Sequence, residues 1–480
     1  MPLAGVNNIK GAWRRSLRLP GNSAFTFLKT STMPHDFGDA SAPVTIAVIG
    51  CGNRGRTYAS YAIAEPTQCK VVAIAEPRPM TRKLMAEAHF VDKTLVFEDY
   101  RDLLKASAET IQTVGKRLAD AVLVTVQDSM HEEVTLAFAE QGYHILCEKP
   151  MSTTLEACFR MEAAVKKAGI IFGMGHVLRY SPYNKALTEV VRSGALGQLI
   201  NVVHIEPVGW WHFAHSYVRG NWAREKDSAF SLMTKSCHDL DILCHWLFPG
   251  TVSRVSSFGS LQHFRKDQKP KEAGDATRCL DCPYEQDCAY SAKKVYLDPA
   301  TLRQDGWPSS VLVDGIPDIE NVTAALQTGP YGRCVYECDN DVCDNQVVNI
   351  EFSTGATASF TMIAHTKLQC DRQTRIHFAF GEIVGDMSSF TVTDFRTRKS
   401  THHTPKSEGG HHGGGDLGLI RTFVEAVRTK DQSLLGTDAT DALRSHIAVF
   451  ASEKARLEGT VVDVVQFEKE MREKYGVEEA

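Results

Sequence analysis

A glycine-rich segment directly after an apolar run constrains the fold of this chain more than any other feature. Residues 44–55 read VTIAVIGCGNRG, so Gly50, Gly52 and Gly55 form the pattern G-x-G-x-x-G. In this pattern the first glycine permits a tight turn, the second lets the backbone approach a pyrophosphate, and the third lets a helix pack against the strand. The N-terminal amides of that helix then face the phosphates. The segment predicts a strand, a phosphate-binding turn and a helix.

An acidic residue follows the second apolar run. This second run covers residues 70–75, and Glu76 follows it directly. Glu76 lies about 20 residues past the last glycine of the motif. A carboxylate there accepts hydrogen bonds from the adenosine ribose of NAD, whereas Arg78 could instead receive the 2′-phosphate of NADP. NAD is therefore the expected cofactor, NADP the alternative, and a glycine turn without a dinucleotide the third reading. The predicted cofactor-binding residues are Gly50, Gly52, Asn53, Arg54, Gly55, Glu76, Arg78, Thr125, Glu148 and Lys149.

The pattern of apolar runs predicts an α/β chain with two domains. Residues 42–170 alternate Val- and Ile-rich strands with helices, which is typical of a doubly wound parallel sheet, the Rossmann fold. Residues 171–460 carry longer, partly alternating runs, which favour an α+β domain with a large open and mostly antiparallel sheet. Residues 265–345, rich in cysteine, proline and polar residues, are expected to form an insertion on this sheet, and residues 461–480 a tail.

The N-terminal extension, residues 1–41, is excluded from the predicted fold. Its first 35 residues contain basic but no acidic side chains, a composition typical of a mitochondrial presequence. The alternatives are a disordered tail, or an upstream start codon with Met33 as the working start. Cys51 within the phosphate turn favours a reducing compartment, so the expected location is cytoplasmic or mitochondrial. A net charge of -5 gives no reason to expect nucleic acid or an anionic membrane as a partner.

Two short motifs carry candidate catalytic residues. Lys149 follows a strand at the sheet edge where α/β folds bind ligands, and it can steady negative charge on a substrate oxygen; the alternative is a surface lysine. His238 and Asp241 lie three residues apart in a predicted helix and so share a face. A carboxylate beside an imidazole favours proton uptake, which predicts a His238 pKa above about 6.5. The alternative is a structural histidine.

A cluster of aromatic and polar residues precedes His238 and predicts a sugar-like ligand. Rings beside hydrogen-bonding groups suit a molecule with apolar C–H faces and a rim of hydroxyls, although a core with a polar loop has the same composition. His412 belongs to a His- and Gly-rich loop that either closes over the pocket or stays in solvent, and Asp416 can cap the next helix. The expected substrate-binding residues are Arg179, Trp211, His215, Arg219, Lys235 and His412.

The insertion contains a cysteine pattern. Cys279 and Cys282 form C-x2-C, the usual first half of a tetrahedral thiolate site, and Cys288 and Cys338 follow. Structural zinc, unligated thiols and disulfides are all open readings. We expect no catalytic metal here, because a closed cysteine site leaves no open coordination position.

Five segments together resemble the Gfo/Idh/MocA oxidoreductases, the family of glucose–fructose oxidoreductase and inositol dehydrogenase. They are GCGNRG, AEP at 75–77, CEKP at 147–150, GHVLRYSP at 175–182 and CHDLD at 237–241, in the family's order over roughly residues 42–460. KSCHDLD and the cysteine-bearing insertion are similar to its streptomycin-biosynthesis-type branch. The resemblance implies NAD or NADP, hydride removal from a secondary alcohol of a sugar or cyclitol, and a homo-oligomer formed through the C-terminal sheet.

The resemblance also implies roles for individual residues. It places Lys149 beside the nicotinamide and His238 at the substrate hydroxyl, as the proton acceptor. Many family members carry an aspartate four residues before that histidine, where this chain has Thr234. Because threonine cannot act as a carboxylate, the proton path must differ, or Lys235 takes part in it. Two other functions stay open: a glycosidase that retains NAD and works by oxidation and elimination, and a non-catalytic dinucleotide-binding sensor or scaffold.

Overall fold

A computed structural model describes residues 42–298, 307–409 and 412–477 of the chain. The predicted N-terminal extension, with its presequence, lies outside these residues. Across the described ranges, no helix combines the length and the apolar character that a bilayer crossing requires.

Six parallel strands form the first sheet, in the order β3-β2-β1-β4-β5-β6. Its strands are β1 (Val44–Ile49), β2 (Cys69–Ala75), β3 (Val96–Phe97), β4 (Ala121–Val124), β5 (His144–Cys147) and β6 (Phe172–Met174). Five helices connect them: α1 (Asn53–Ala64), α2 (Pro79–Ala88), α3 (Tyr100–Val114), α4 (His131–Glu140) and α5 (Leu155–Ala168). Every residue of β4 is buried, as expected for a sheet covered on both faces. The predicted Rossmann fold is confirmed.

The first sheet extends past residue 170, where we expected its domain to end. β6 pairs with β5, so the sheet reaches Met174. A helix from far along the chain, α11 (Gly415–Thr429), also packs against this sheet. Its residues Leu419 and Phe423 belong to the same apolar cluster as Val48 of β1. The two halves of the chain are therefore joined by a shared core.

Nine strands form the second sheet, in the order β14-β13-β12-β11-β7-β10-β9-β8-β15. All neighbours are antiparallel except β7 and β10, which confirms the predicted open and mostly antiparallel sheet. The strands are β7 (Leu199–Pro207), β8 (Val252–Ser260), β9 (Asn345–Phe352), β10 (Thr357–Ile363), β11 (Gln373–Phe378), β12 (Gly381–Gly385), β13 (Phe390–Asp394), β14 (Lys399–His403) and β15 (Val461–Asp463).

Two long helices, α8 and α12, pack near one face of this sheet. α8 is buried on nearly every side, because apolar residues surround its few charged ones. The helices of this half are α6 (Pro182–Arg192), α7 (Trp210–Phe213), α8 (Ser231–Leu247), α9 (Ala292–Tyr296), α10 (Ile319–Thr328), α11, α12 (Ala439–Glu458) and α13 (Val464–Tyr475). α8 positions Lys235, His238, Asp239 and Asp241, which are described below.

The segment that we expected to form a C-terminal tail belongs to the folded domain. Residues 461–477 are structured, since β15 pairs with β8 and α13 follows it. Val462, Val464 and Phe467 are buried in the main apolar cluster. These three side chains hold the segment against the domain.

The cysteine-bearing insertion has a small apolar core of its own and also contacts the first domain. Tyr296, Val322 and Leu326 are fully buried within it. Asp314 accepts hydrogen bonds from the backbone amides of Met80 (3.0 Å) and Thr81 (2.9 Å), at the start of α2. It therefore supplies the N-terminal cap that α2 lacks from its own side chains. The insertion is fastened beside Glu76 and Arg78.

Candidate active site

The glycine turn has the geometry that the sequence predicts. Gly50 has φ +86°, and a Cβ there would lie 2.5 Å from the carbonyl oxygen of Thr125. A Cβ on Gly55 would lie 2.2 Å from the carbonyl oxygen of Gly50. Gly52 precedes α1 in an extended conformation and offers no side-chain cap to its first amides. Those amides are therefore available to an anion such as a pyrophosphate.

A cleft of about 570 Å³ lies over this turn and contains most of the predicted cofactor residues. Thr125 fixes its floor by donating from Oγ1 to the carbonyl oxygen of Gly50 at 2.6 Å. Trp307, Ser310 and Tyr331 of the insertion line the cleft from the other side. The glycine turn, the free helix terminus and the acidic residue after β2 together fit a nicotinamide dinucleotide.

Glu76 and Arg78 form an ion pair at the edge of the cleft. Arg78 donates from Nε to Oε1 of Glu76 at 2.7 Å, and the Cys51 amide donates to Oε2 at 2.7 Å. Burial alone would raise the pKa of Glu76, but the hydrogen bonds from Arg78 lower it below its usual range. The carboxylate is therefore ionised, and it neutralises the one guanidinium that we expected to compete for a 2′-phosphate.

Arg54 and Glu148, both predicted to bind cofactor, are tied to one another. Arg54 donates from Nε to Oε1 of Glu148 at 2.6 Å and from Nη2 to Oδ1 of Asp416 at 2.7 Å. Tyr58 donates its hydroxyl to the same Glu148 oxygen at 2.7 Å. Asp416, which we expected to cap α11, is instead a buried partner of Arg54. This network forms the wall between the cleft and the neighbouring cavity.

A second cavity, of about 920 Å³, adjoins the cleft. Asn53, Arg54, Glu148, Lys149 and Trp222 line both spaces. Of the residues predicted to be catalytic or to bind substrate, the structure brings four to this cavity: Lys149, His238, Lys235 and His412. His411, next to the last of these, lies outside the described residues.

Lys149 stands at the junction of the two spaces, at the carboxyl end of β5. Its Nζ donates to the main-chain oxygen of Thr234 at 2.5 Å and lies 5.7 Å from the ring centre of Trp222. The main chain of Thr234 therefore holds the lysine, although its side chain cannot act as the aspartate found in many similar proteins.

His238 is held differently from our expectation. Its Nε2 lies 2.8 Å from Nη2 of Arg372, and its Nδ1 is buried without a partner among the described residues. Burial lowers the pKa of His238 well below its usual value, and Arg372 and Lys149 lower it further against the opposing effect of Asp239. The predicted rise in this pKa is therefore wrong in direction.

Asp241, predicted as the partner of His238, points elsewhere. Arg179 donates to it from Nε and Nη2, both at 2.6 Å, and Nδ1 of His176 lies 2.9 Å from its Oδ1. Although a separation of three residues puts both side chains near one face of α8, His238 pairs with Arg372 and Asp241 pairs with Arg179. Arg179, predicted to bind substrate, is occupied by this pair and lines neither cavity in the described part of the chain.

A buried charge cluster lies behind His238, and of its four members sequence reasoning singled out only Lys235. Arg372 pairs with Glu206 at 2.5 Å and with Asp239 at 2.8 Å, and Lys235 pairs with Glu206 at 3.0 Å. Glu206 had a signal, since the alternation of β7 places it on the buried face beside Val202. Arg372 had none, because it lies in a loop far along the chain.

The other predicted substrate residues lie outside the second cavity. Trp211 packs on Trp307, with ring centres 5.0 Å apart. His215 lines the cofactor cleft and contacts the Tyr296 hydroxyl at 2.8 Å. Arg219 is 2% exposed and donates to the main-chain oxygens of Arg333 and Tyr290. Trp211 and Arg219 therefore pack where the insertion meets the rest of the domain.

The cysteines of the insertion give no support to structural zinc. No three sulfur atoms of Cys279, Cys282, Cys288 and Cys338 lie within 4.8 Å of one another. Arg219, a cation, sits among them with Nη2 at 3.3 Å from Sγ of Cys279. Burial raises the pKa of the Cys338 thiol to about 11, so it is protonated near neutral pH. All thirteen cysteines are free.

His412 and Asp416 form a further pair at the second cavity. Nδ1 of His412 lies 3.2 Å from both carboxylate oxygens of Asp416. The ring centre of His412 is 5.8 Å from that of His238. His238, Lys149, Lys235 and His412 therefore line one space, and His412 is paired with Asp416.

Descriptions of known protein families match nearly the whole described chain. An oxidoreductase family with an NAD-binding Rossmann fold matches residues 44–176, and the C-terminal alpha/beta domain of that family matches residues 188–464.

Individual proteins are similar over parts of their length. YteT of Bacillus subtilis, named as an oxidoreductase, is 24% identical over 330 residues, covering 64% of this chain and 72% of YteT. Inositol 2-dehydrogenase of Burkholderia multivorans is 28% identical over 204 residues, covering 42% of this chain and 53% of that enzyme. The chain thus spans about half the length of this second relative.

Solved structures share the fold. A levoglucosan dehydrogenase in complex with NADH and levoglucosan superposes with a TM-score of 0.60 at 18% identity, covering 88% of this chain and 99% of that one. At this identity the likeness concerns the fold alone.

Proposed function

This chain belongs to the Gfo/Idh/MocA oxidoreductase family, and on that basis we propose that it transfers a hydride between a nicotinamide cofactor and a secondary alcohol of a sugar or cyclitol. NAD is the proposed cofactor. The cysteine-bearing insertion and KSCHDLD support placing it in the streptomycin-biosynthesis-type branch.

One observation carries the proposal: Lys149 lines both the cofactor cleft and the cavity that contains His238. A substrate in the second cavity would lie against the end of the cleft where a nicotinamide belongs. The adjacency of the two spaces supports hydride transfer between a cofactor in the cleft and a substrate in the cavity.

The residues around Lys149 can bind and polarise a hydroxyl. The bound nicotinamide would supply the hydride acceptor. The Lys149 ammonium can donate to the substrate oxygen and stabilise negative charge that develops on it. Nδ1 of His238, which is buried and unpartnered among the described residues, can donate to the same or a neighbouring hydroxyl.

The cavity lining supports a polyol as substrate. Trp222 and Tyr217 offer aromatic faces for ring C–H groups, whereas Lys235, His212 and Gln369 offer polar atoms for hydroxyls. The name of one relative, inositol 2-dehydrogenase, favours the same class.

A spectrophotometric screen tests the proposal. Purified protein is incubated with NAD or NADP and with myo-inositol, scyllo-inositol, levoglucosan or D-glucose, and the absorbance of the reduced nicotinamide is followed. We expect at least one polyol to reduce NAD, and Lys149→Met to lower turnover by roughly 100-fold with nearly unchanged NAD affinity. Lys167→Met, at an exposed position of α5, is the matched control. Binding of NAD without turnover on any polyol would favour the sensor or scaffold function instead.

A further inference from the structure

His238 has a ring nitrogen that is already engaged. An arginine guanidinium is always a donor, so the 2.8 Å contact from Arg372 makes Nε2 of His238 the acceptor. The proton of the neutral ring is then on Nδ1. To accept a second proton, His238 would have to release Arg372, which is 1% exposed and held by Glu206 and Asp239. His238 is therefore a hydrogen-bond donor in this site and a poor proton acceptor.

His412 has the opposite arrangement. Asp416 is buried, and although burial alone would raise its pKa, Arg54 and His412 lower it well below the usual range. An ionised carboxylate only accepts hydrogen bonds, so Nδ1 of His412 is the donor in their 3.2 Å contact. The lone pair of the neutral ring is then on Nε2, for which no partner is found among the described residues. The side chain is 25% exposed and lines the substrate cavity.

The backbone of His412 has an uncommon conformation. His412 has φ +52°, in the left-handed region that disfavours residues other than glycine. Gly413 and Gly414 follow with φ +62° and +90°, and α11 begins directly after them. A non-glycine residue in this conformation is retained only where the surrounding structure fixes it, and such positions concentrate at functional sites.

We propose that His412, oriented by Asp416, is the proton acceptor for the substrate hydroxyl. This inference rests on the proposed function. The O–H bond breaks, its proton moves to Nε2 of His412, and the resulting imidazolium is paired with the Asp416 carboxylate. The carbon–oxygen double bond of the product forms as the hydride leaves the same carbon. Lys149 and His238 donate to the oxygen meanwhile, so the chain needs no carboxylate at Thr234.

The charges around His412 set its working range. Facing it are Asp416 on α11, Arg54 on α1, His238 on α8, and Arg372 before β11. Burial lowers the pKa of His412, Asp416 raises it, and the two arginines lower it, with a net shift below the usual value. The neutral, proton-accepting ring therefore persists to lower pH than for a free histidine.

Chemical modification tests the assignment without turnover. Diethyl pyrocarbonate reacts with the lone pair of a neutral imidazole, and mass mapping locates the modified histidine. We expect His412 to be modified, with a rate that rises with pH through a midpoint below about 6.5, while His238 resists. Asp416→Asn should move this midpoint lower, because the carboxylate no longer stabilises the imidazolium. Modification of His238 in preference to His412 would overturn the proposal.

Kinetics on the polyol found in the screen provide the second arm. His412→Gln should lower the oxidation kcat by roughly 100-fold or more with nearly unchanged NAD affinity. His402→Gln, at an exposed position on β14, is the matched control and should keep full turnover. A wild-type protein that turns over and a His412→Gln variant that turns over equally well would refute the proton acceptor alone. A wild-type protein inactive on every polyol would refute the proposed function, and the proton acceptor with it.

Discussion

At the scale of single residues, the edge of the cofactor cleft carries an ion pair, Glu76 with Arg78, rather than a carboxylate alone. Glu76 is 2% exposed and accepts from both Arg78 and the Cys51 amide, while the Arg78 side chain is 43% exposed. A ribose hydroxyl has to share this carboxylate with Arg78. The preference between NAD and NADP therefore depends on which of the two side chains faces the 2′ position.

Removal of Glu76 should release Arg78 for a phosphate. We expect Glu76→Ala to weaken NAD binding by about 1.5–3 kcal/mol, as for a lost hydrogen bond to a charged group, and to strengthen NADP binding. Arg78→Ala is the matched variant, and it should weaken NADP without a comparable loss of NAD. Fluorescence titration with both cofactors measures these changes. Equal wild-type affinity for the two cofactors would contradict the selecting role of Glu76.

The sequence predicted which residue types surround the substrate but not their pairing. Lys149 and His238 were found from local motifs, and both line the expected cavity. The prediction that Asp241 is the partner of His238 was wrong. Spacing along α8 says nothing about Arg372, which reaches His238 from a loop more than a hundred residues away. Pairing across such distances depends on tertiary packing alone.

At the scale of elements, the insertion acts as a bridge. Asp314 caps α2 from outside its own domain and brings Trp307 and Ser310 over the cleft. Its cysteines suggested a metal-stabilised module, whereas an apolar core with a buried arginine stabilises it here. A residue pattern such as C-x2-C constrains chemistry only when the sulfur atoms converge.

Loss of this cap should loosen the cofactor. We expect Asp314→Ala to speed NAD release about fivefold, because a helix cap contributes about 1 kcal/mol and α2 lies beside the adenosine end of the cleft. Stopped-flow displacement of bound NAD measures the rate. Asp318→Ala removes a similar cap at the start of α10, within the insertion itself, and serves as control. An equal effect from both variants would indicate general loss of the insertion fold.

The two sheets were predicted from periodicity, but the edge strand β15 was not. β15 is a three-residue strand with too few positions to show a pattern. It is added by pairing with a longer neighbour, β8. Short edge strands owe their existence to that neighbour, so their own residues predict them poorly.

At the scale of the whole molecule, the open face of the nine-stranded sheet carries an apolar row. In register across four strands lie Phe258, Val347, Thr361 and Ile205. Phe258 is 69% exposed, and the other three are half-buried. The homo-oligomer implied by the family resemblance would bury this row against a second copy.

A charge in this row should therefore dissociate the assembly. We expect Ile205→Arg to shift the mass measured by light scattering toward the monomer, because an unpaired buried charge strongly opposes association. Val465→Arg changes an equally apolar, exposed position on α13 and should leave the mass unchanged. A wild-type protein that is monomeric at all concentrations would exclude this interface.

Buried histidines should make the protein sensitive to acid. Burial lowers the pKa of His446 to about 3, with His176 contributing, and burial with Arg219 lowers that of His215 to about 3. Because the unfolded state binds protons below about 6.5 and the native state does not, the stability present above that pH is lost as pH falls toward 3. At pH 5 each histidine costs about 2 kcal/mol of unfolding free energy.

Thermal unfolding between pH 7 and pH 5 measures this effect. The melting temperature should fall with pH, and His446→Gln should show a shallower fall in spite of its lower starting stability. His402→Gln, at an exposed histidine, should keep the wild-type slope. A flat profile for the wild-type protein would show that the buried histidines are protonated in the native state.

The cap that Asp314 provides for α2 has a consequence for the kinetics of the enzyme. A dinucleotide bound beneath the insertion would be released more slowly while these hydrogen bonds are intact, and we expect its residence time to exceed one catalytic cycle. The enzyme then alternates between a form with oxidised cofactor and a form with reduced cofactor. A second carbonyl compound that enters after the first product has left can reoxidise the cofactor. Such an enzyme obeys a double-displacement scheme, and plots of reciprocal rate against reciprocal polyol concentration should be parallel at different concentrations of the second compound.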